Sequence, residues 1–328
     1  MTLTPPIEPM LAEAWRELPP DRSLPGNLVV EQKPDGFRAV VFARPGLVMV
    51  QSRRGADLTP AFPEIATAAS ALSEALVLDG ELVVAAEGRL HFGELQKRAR
   101  RRRSSAAQAA AEHPANLIVF DVLEAGGREL LDRPYRERRA MLEDLFARDV
   151  PGAPFTLCPA TTDRATALEW LDPAWGEVRI EGVVVKGSEQ RYLPGRRAWI
   201  KVRSRTTAEG IIGSVTGRVE SPSSLLLGRY DDTGRLRFFA RTTPLNPASR
   251  RDLAGRLRVA GAEHPWHGRK FSVGWGSSGE LEHQPVRPEL VAEFQGDTAV
   301  DEGRYRHPVR FVRLREDVTA EHVPAFGG

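Results

Sequence analysis

The residues best suited to chemistry in this 328-residue chain crowd into one stretch, Glu31-Gln32-Lys33-Pro34-Asp35-Gly36-Phe37-Arg38. It brings an amine, two carboxylates and a guanidinium together at one corner. A lysine so placed can serve as a nucleophile, because partial desolvation and neighbouring cations both ease the loss of its proton. Arginine cannot replace it, since a guanidinium stays protonated. Lysine and arginine together number 46, yet Lys33, Lys97, Lys186, Lys201 and Lys270 are the only lysines. A chain that uses arginine wherever a positive charge suffices marks Lys33, Lys186 and Lys201 for tasks that need a compact amine.

Further charged corners follow at Ser52-Arg53, Asp79-Gly80-Glu81, Glu181, Lys186 and Lys201. Each adjoins a short apolar run, so one sheet platform would aim them all at a single polyphosphate and its metal ions. Carboxylates would then hold Mg²⁺, lysines would neutralise phosphate, and one lysine would attack phosphorus. Clustered charge usually costs stability, so a pattern repeated in this way is hard to ascribe to folding alone.

Those corners need strands to carry them. Leu28-Val29-Val30 and Ala39-Val40-Val41-Phe42 read as a hairpin closed by the lysine corner, and Leu47 to Val50 as a third strand. Residues 64–75 suit a helix, and Ala75 to Leu78 and Leu82 to Val84 read as two strands about a charged turn. Asn116 to Asp121, Glu181 to Lys186 and Trp199 to Arg203 are strand-like, whereas Pro134 to Phe146 and Asp163 to Leu171 have helical start signals. Met10-Leu11-Ala12 is expected to tuck beneath the first sheet. Beyond Ser204, about five strands, one helix from Pro247 to Leu257 and a turn at Asp231-Asp232-Thr233-Gly234 suit an OB-type barrel.

The run from Lys97 to Arg103 admits two readings, a solvated helix face or loop, or a set of DNA phosphate contacts. Net charge is only +2, but a balance of many opposite charges leaves room for a local basic face. Cys158 is the single cysteine, which excludes an internal disulfide and a cysteine-rich zinc site. The N-terminus lacks a basic-then-apolar leader and no run reaches the roughly 18 apolar residues of a membrane span, so a cytoplasmic protein without membrane association is expected.

Taken in order, these motifs resemble the ATP-dependent DNA ligases of the short bacterial kind, within the covalent nucleotidyltransferases, over nearly the whole chain. The resemblance implies an α+β nucleotidyltransferase (adenylation) domain with antiparallel sheets and flanking helices over residues 1–204, then an OB-fold β-barrel domain over residues 205–328. It implies a monomeric enzyme that seals nicks in double-stranded DNA during repair, using ATP and Mg²⁺ or Mn²⁺ through a lysyl-AMP intermediate. By the same resemblance Lys33 is adenylated, Glu31 contacts the adenine edge, and Arg38 and Arg53 contact the nucleotide sugar and phosphate. Glu81 and Glu181 match the acidic ribose and metal positions, Phe120 the aromatic that stacks on adenine, and Lys186 and Lys201 the pair that binds the α-phosphate. Asp35 would chiefly orient its neighbours, and a buried core role is the alternative for Phe120.

Arg315 and Asp317 lie in Arg313-Leu314-Arg315-Glu316-Asp317-Val318, which resembles the family's last motif and implies a role in orienting pyrophosphate. Val318 stands where a lysine is common, and Arg54 where a small polar residue is usual. Larger relatives carry a helical DNA-encircling domain for which this length leaves no room. Arg100, Arg101, Arg102 and Arg103, with the barrel, are the expected substitutes for DNA contact. An mRNA-capping guanylyltransferase shares the lysine corner and the OB domain, but Glu31 and the Arg-Glu-Asp ending favour adenine. A silent nucleic-acid-binding OB protein would have no use for Lys33, Lys186 and Lys201. An NAD-dependent ligase would need a cysteine-zinc module that Cys158 alone cannot form.

Overall fold

The computed structural model describes residues 2–86, 89–272 and 279–327. The chain divides into two compact units, Met1–Ser204 and Arg205–Gly328. In the first, the principal strands are β1 (Leu11–Trp15), β2 (Leu28–Pro34), β3 (Phe37–Arg44), β4 (Leu47–Ser52), β5 (Leu76–Ala86), β6 (Ala115–Ala125), β7 (Phe155–Leu157), β8 (Ile180–Gly187) and β9 (Arg197–Arg203). Its helices are α1 (Pro63–Ser70), α2 (Phe92–Arg100), α3 (Ser104–Glu112), α4 (Tyr135–Ala147) and α5 (Arg164–Glu169).

These strands form two sheets. The first is five-stranded in the order β1-β9-β8-β2, with Ala160–Thr161 at the far edge. The second is seven-stranded around the order β4-β3-β5-β6, with β7 beside β6 in parallel. Strand alternation gives each sheet two distinct faces. Ala39, Val41, Leu78, Leu117 and Val119 face one core with Ile65 of α1 and Leu142 of α4. Val40, Phe42, Val77, Phe120 and Leu123 face the first sheet, where they meet Met10, Tyr192 and Trp199. The outer face of the first sheet packs Val30, Val183, Val185, Ile200 and Val202 around Ala167 of α5. Asp163 starts α5 by accepting the Thr166 amide at 2.9 Å, as an N-cap should.

Three local expectations change. The lysine corner does not close a hairpin: β2 pairs with β8 in the first sheet, whereas β3 pairs with β4 and β5 in the second. Pro34-Asp35-Gly36 therefore passes the chain from one sheet to the other, and only glycine fits at Gly36, where a Cβ would lie 2.2 Å from the Leu82 carbonyl oxygen. Asp79-Gly80-Glu81 is not a turn but the middle of the continuous strand β5, opposite a bulge in β6 that skips Phe120. The Met10 patch leads directly into β1, an edge strand parallel to β9, with Met10 itself fully buried.

In the second unit, β10 (Arg205–Arg218), β11 (Ser221–Tyr230), β12 (Leu236–Arg241), β13 (Val291–Asp297) and β14 (Arg310–Leu314) take the order β12-β11-β10-β13-β14. A parallel bridge between Thr242 and Val309 joins the two ends of that order, and α6 (Pro247–Ala254) lies between β12 and β13 in sequence. Five strands closed in this way, with one helix in that connection, form an OB barrel. Among the described residues, no helix is long and apolar enough to cross a membrane.

Candidate active site

The site is built where the first sheet faces the second. In antiparallel strands directly opposed residues share a face, and Val184 of β8 is opposed by Glu31 of β2 on one side and Lys201 of β9 on the other. Steps of two along each strand add Lys33, Lys186, Trp199 and Arg203 to this face. From the facing sheet come Arg38 and Glu81, which oppose one another across β3 and β5.

Lys33 donates from Nζ to Glu181 Oε1 in a short ion pair. The second Glu181 oxygen lies 3.7 Å from Arg203 Nε. Burial by itself would lower the Lys33 ammonium, but Glu181 and then Glu81 hold it above its ordinary value. Lys201 is lowered by burial first, then by the Arg203 and Lys33 cations, with a smaller push from Arg53 in the exposed turn after β4. Burial, helped by Glu181 and Asp35, raises the Glu81 carboxyl to about 7 against the pull of Lys33 and Arg38. Gly182 lets β8 and β9 approach here: its φ is +142°, and a Cβ would lie 2.1 Å from the Val202 carbonyl oxygen.

Among the described residues no group of three or more His, Cys, Asp or Glu side chains is placed to hold a metal. Glu81 and Glu181 still fit Mg²⁺, which commonly takes one or two protein carboxylates and completes its shell with phosphate oxygens and water. Burial is the chief cause of the raised Glu81 carboxyl, and a bound divalent cation would offset that cost to its ionised form.

Arg38 is locked by Asp79 through Nε at 2.5 Å and Nη2 at 2.6 Å, and it also donates to the Met10 carbonyl. Tyr192 donates to the same carboxylate at 2.7 Å, and the Arg38 guanidinium lies 4.6 Å from the Phe120 ring centroid. Phe120 itself is 9% exposed and edge-on to Trp199. Asp35 is buried, and its backbone N–H donates to the Arg179 carbonyl oxygen.

Lys186 departs from its expected pairing with Lys201. It is fully enclosed, with Nζ 2.8 Å from Glu31 Oε2 and 2.9 Å from the Phe120 carbonyl oxygen that accepts from it. Glu31 also accepts from the Tyr135 hydroxyl. The cation that joins Lys33 and Glu181 is instead Arg203, missed because scarcity singled out lysines. The alternation Lys201-Val202-Arg203 was its only sequence signal.

The basic run is divided too. Arg98 is buried, bound to Glu64 at 2.6 Å and to the His113 and Ala61 carbonyls, and is part of the fold. Arg100, Arg102 and Arg103 are exposed, with Arg101 partly so, around the junction of α2 and α3. In the second unit Arg315 chelates Asp317 at 2.8 Å through two nitrogens and reaches Glu209. Val318 packs against the cluster of Ile211, Leu226 and Trp266, which is a place for an apolar side chain.

Two family models match this chain: the ATP dependent DNA ligase domain over residues 9–203 and the ATP dependent DNA ligase C terminal region over residues 218–318. DNA ligase C2 of Mycolicibacterium smegmatis is 34% identical over 337 residues, covering 97% of this chain and 92% of that protein. DNA ligase C of Mycobacterium tuberculosis is 32% identical with the same coverage. Among solved structures, the ligase domain of M. tuberculosis LigD aligns with a TM-score of 0.52 at 29% identity, over 97% of this chain and 98% of that one. A mycobacterial DNA ligase D complexed with ATP and MES aligns with the same TM-score at 28% identity, over 97% of this chain and 98% of that one. With both units matched in order and nearly the whole length aligned, the chain belongs to the ATP-dependent DNA ligases.

Proposed function

We propose that this ligase seals nicks in duplex DNA with Lys33 as its nucleophile, in the service of DNA repair. The observation that carries the reading is the Lys33–Glu181 pair, set on one sheet face with Lys201 and Arg203. In the first step the Lys33 ammonium, which Glu181 and Glu81 hold charged in the free protein rather than easing its deprotonation, gives a proton to water; Nζ then attacks the α-phosphorus of ATP, the bond to pyrophosphate breaks, and a phosphoramidate to AMP forms. A 5′-phosphate oxygen at the nick next attacks that phosphorus and releases the lysine. The 3′-hydroxyl then attacks the activated 5′-phosphate, and AMP leaves as the strand closes.

Lys201 and Arg203 would neutralise the phosphoryl oxygens, with Arg53 adding charge nearby. Glu181 holds the Lys33 ammonium in place before nucleotide arrives. Its carboxylate and that of Glu81 would hold Mg²⁺, which when bound neutralises phosphate charge. Arg38, clamped by Asp79, presents a fixed guanidinium toward the sugar.

The test is an intact mass after incubation with ATP and magnesium, followed by a nicked-duplex sealing assay. The parent should gain one AMP and seal; Lys33→Arg should do neither. Undiminished AMP uptake by Lys33→Arg would remove this mechanism.

A further inference from the structure

Lys186 and Tyr135 both bind one buried carboxylate, and Lys186 Nζ also lies 4.0 Å from Asp121 Oδ2. Glu31 is 2% exposed; its Oε1 accepts from the Tyr135 hydroxyl, and Oε2 lies 2.8 Å from Lys186 Nζ. Arg139 Nη1 stands 3.6 Å from Oε1. The lysine is itself fixed. It donates to the Phe120 carbonyl and sits 4.4–4.8 Å from the ring centroids of Trp199, Tyr135 and Phe120. A carboxylate offers about four acceptor sites, so these donors orient Glu31 without exhausting it. Across the sheet Glu31 is flanked by the short side chains of Ala160 and Val184.

The geometry points to Lys186 and Tyr135 as positioning residues for nucleobase selection: they hold the Glu31 carboxylate in one orientation, so that it accepts from the 6-amino group of adenine. This rests on the proposed adenylation of Lys33 and deepens it. A carboxyl acceptor buried beside a base discriminates strongly, because a base lacking the donor leaves that acceptor unfilled in a dry environment. A lysine that instead gripped phosphate would treat every nucleoside triphosphate alike.

The experiment compares ATP with purine riboside triphosphate, which lacks only the 6-amino group, as donors for self-adenylation. For the parent, the ratio of kcat/KM values should favour ATP by about tenfold or more, as expected for a hydrogen bond to a charged group. Lys186→Met should bring that ratio close to one, mainly through a higher KM for ATP. Tyr135→Phe removes one donor without unpairing a buried charge, so it tests the same point if Lys186→Met fails to fold; it should lower the ratio several-fold. A parental ratio retained in Tyr135→Phe and in folded Lys186→Met, with both nucleotides weakened equally, overturns the inference while leaving Lys33 adenylation intact. Absence of nucleotide transfer to the parent protein overturns the adenylation reading and this inference with it.

Discussion

Lys33 and Arg203 stand on either side of the Glu181 carboxylate, one bound to Oε1 and the other 3.7 Å from Oε2. Glu181 therefore couples the proposed nucleophile to a guanidinium on the neighbouring strand β9. It is 4% exposed, so the pair is also part of the fold.

From that placement, Arg203→Ala should slow self-adenylation by about tenfold or more, the loss of one charge-assisted contact to a phosphoryl group. Lys201→Ala should act in the same direction. Single-turnover AMP uptake checks both, and a parental rate for Arg203→Ala would assign the phosphates elsewhere. Glu181→Ala leaves two cations without their shared carboxylate, so it should cost stability as well as chemistry, which urea unfolding would reveal.

Glu81 gives a pH signature. Its carboxyl is raised from 4.5 to about 7, so between those values the folded protein holds a proton that the unfolded chain has lost. Stability therefore falls as pH rises through that window and levels off above it. The effect should be about 1–3 kcal/mol once solvent screening is allowed for. Glu81→Gln should flatten the fall and be the more stable protein at pH 8 without metal. Urea unfolding at pH 5 and pH 8 decides it: parallel behaviour of parent and variant would place the pH dependence in other groups.

Arg98 belongs to the fold despite lying in the basic run. Arg98→Met should destabilise the first unit by about 3 kcal/mol, because it strands Glu64 and two backbone carbonyls. A thermal scan with an unshifted midpoint would contradict this placement.

Arg100 to Arg103, exposed except for the half-buried Arg101, are expected to hold nicked duplex and to take no part in AMP uptake. If all four meet phosphates, their replacement by glutamine should flatten the dependence of log affinity on log salt by about 3–4. Binding measured across a salt series, beside AMP uptake without DNA, tests both halves. An unchanged slope would make the run a solvated surface.

What the sequence determined by itself was the inventory and its local setting. Lys33, Glu181 and Lys201 announce themselves by residue type beside apolar runs, and period-two alternation puts Lys201 on one strand face. The strands and helix of the second unit are likewise written in short apolar runs with turn residues between them, because those signals act within a few residues. Tertiary structure decided which strand meets which. Pro34-Asp35-Gly36 looks like a hairpin turn, yet it transfers the chain between sheets, and that transfer sets Lys33 and Arg38 on facing surfaces. Asp79 and Glu81 look like turn residues because charge inside a strand is rare; Arg38 neutralises Asp79 from the adjacent strand, a pairing invisible locally. Lys186 and Arg98 show the same limit from the other side. An ammonium and a guanidinium that read as solvated or phosphate-bound are buried by partners at distant positions in the chain, Glu31 and Glu64. Burial of charge depends on a counter-charge brought by the fold, and only the packed chain reveals where that counter-charge lies.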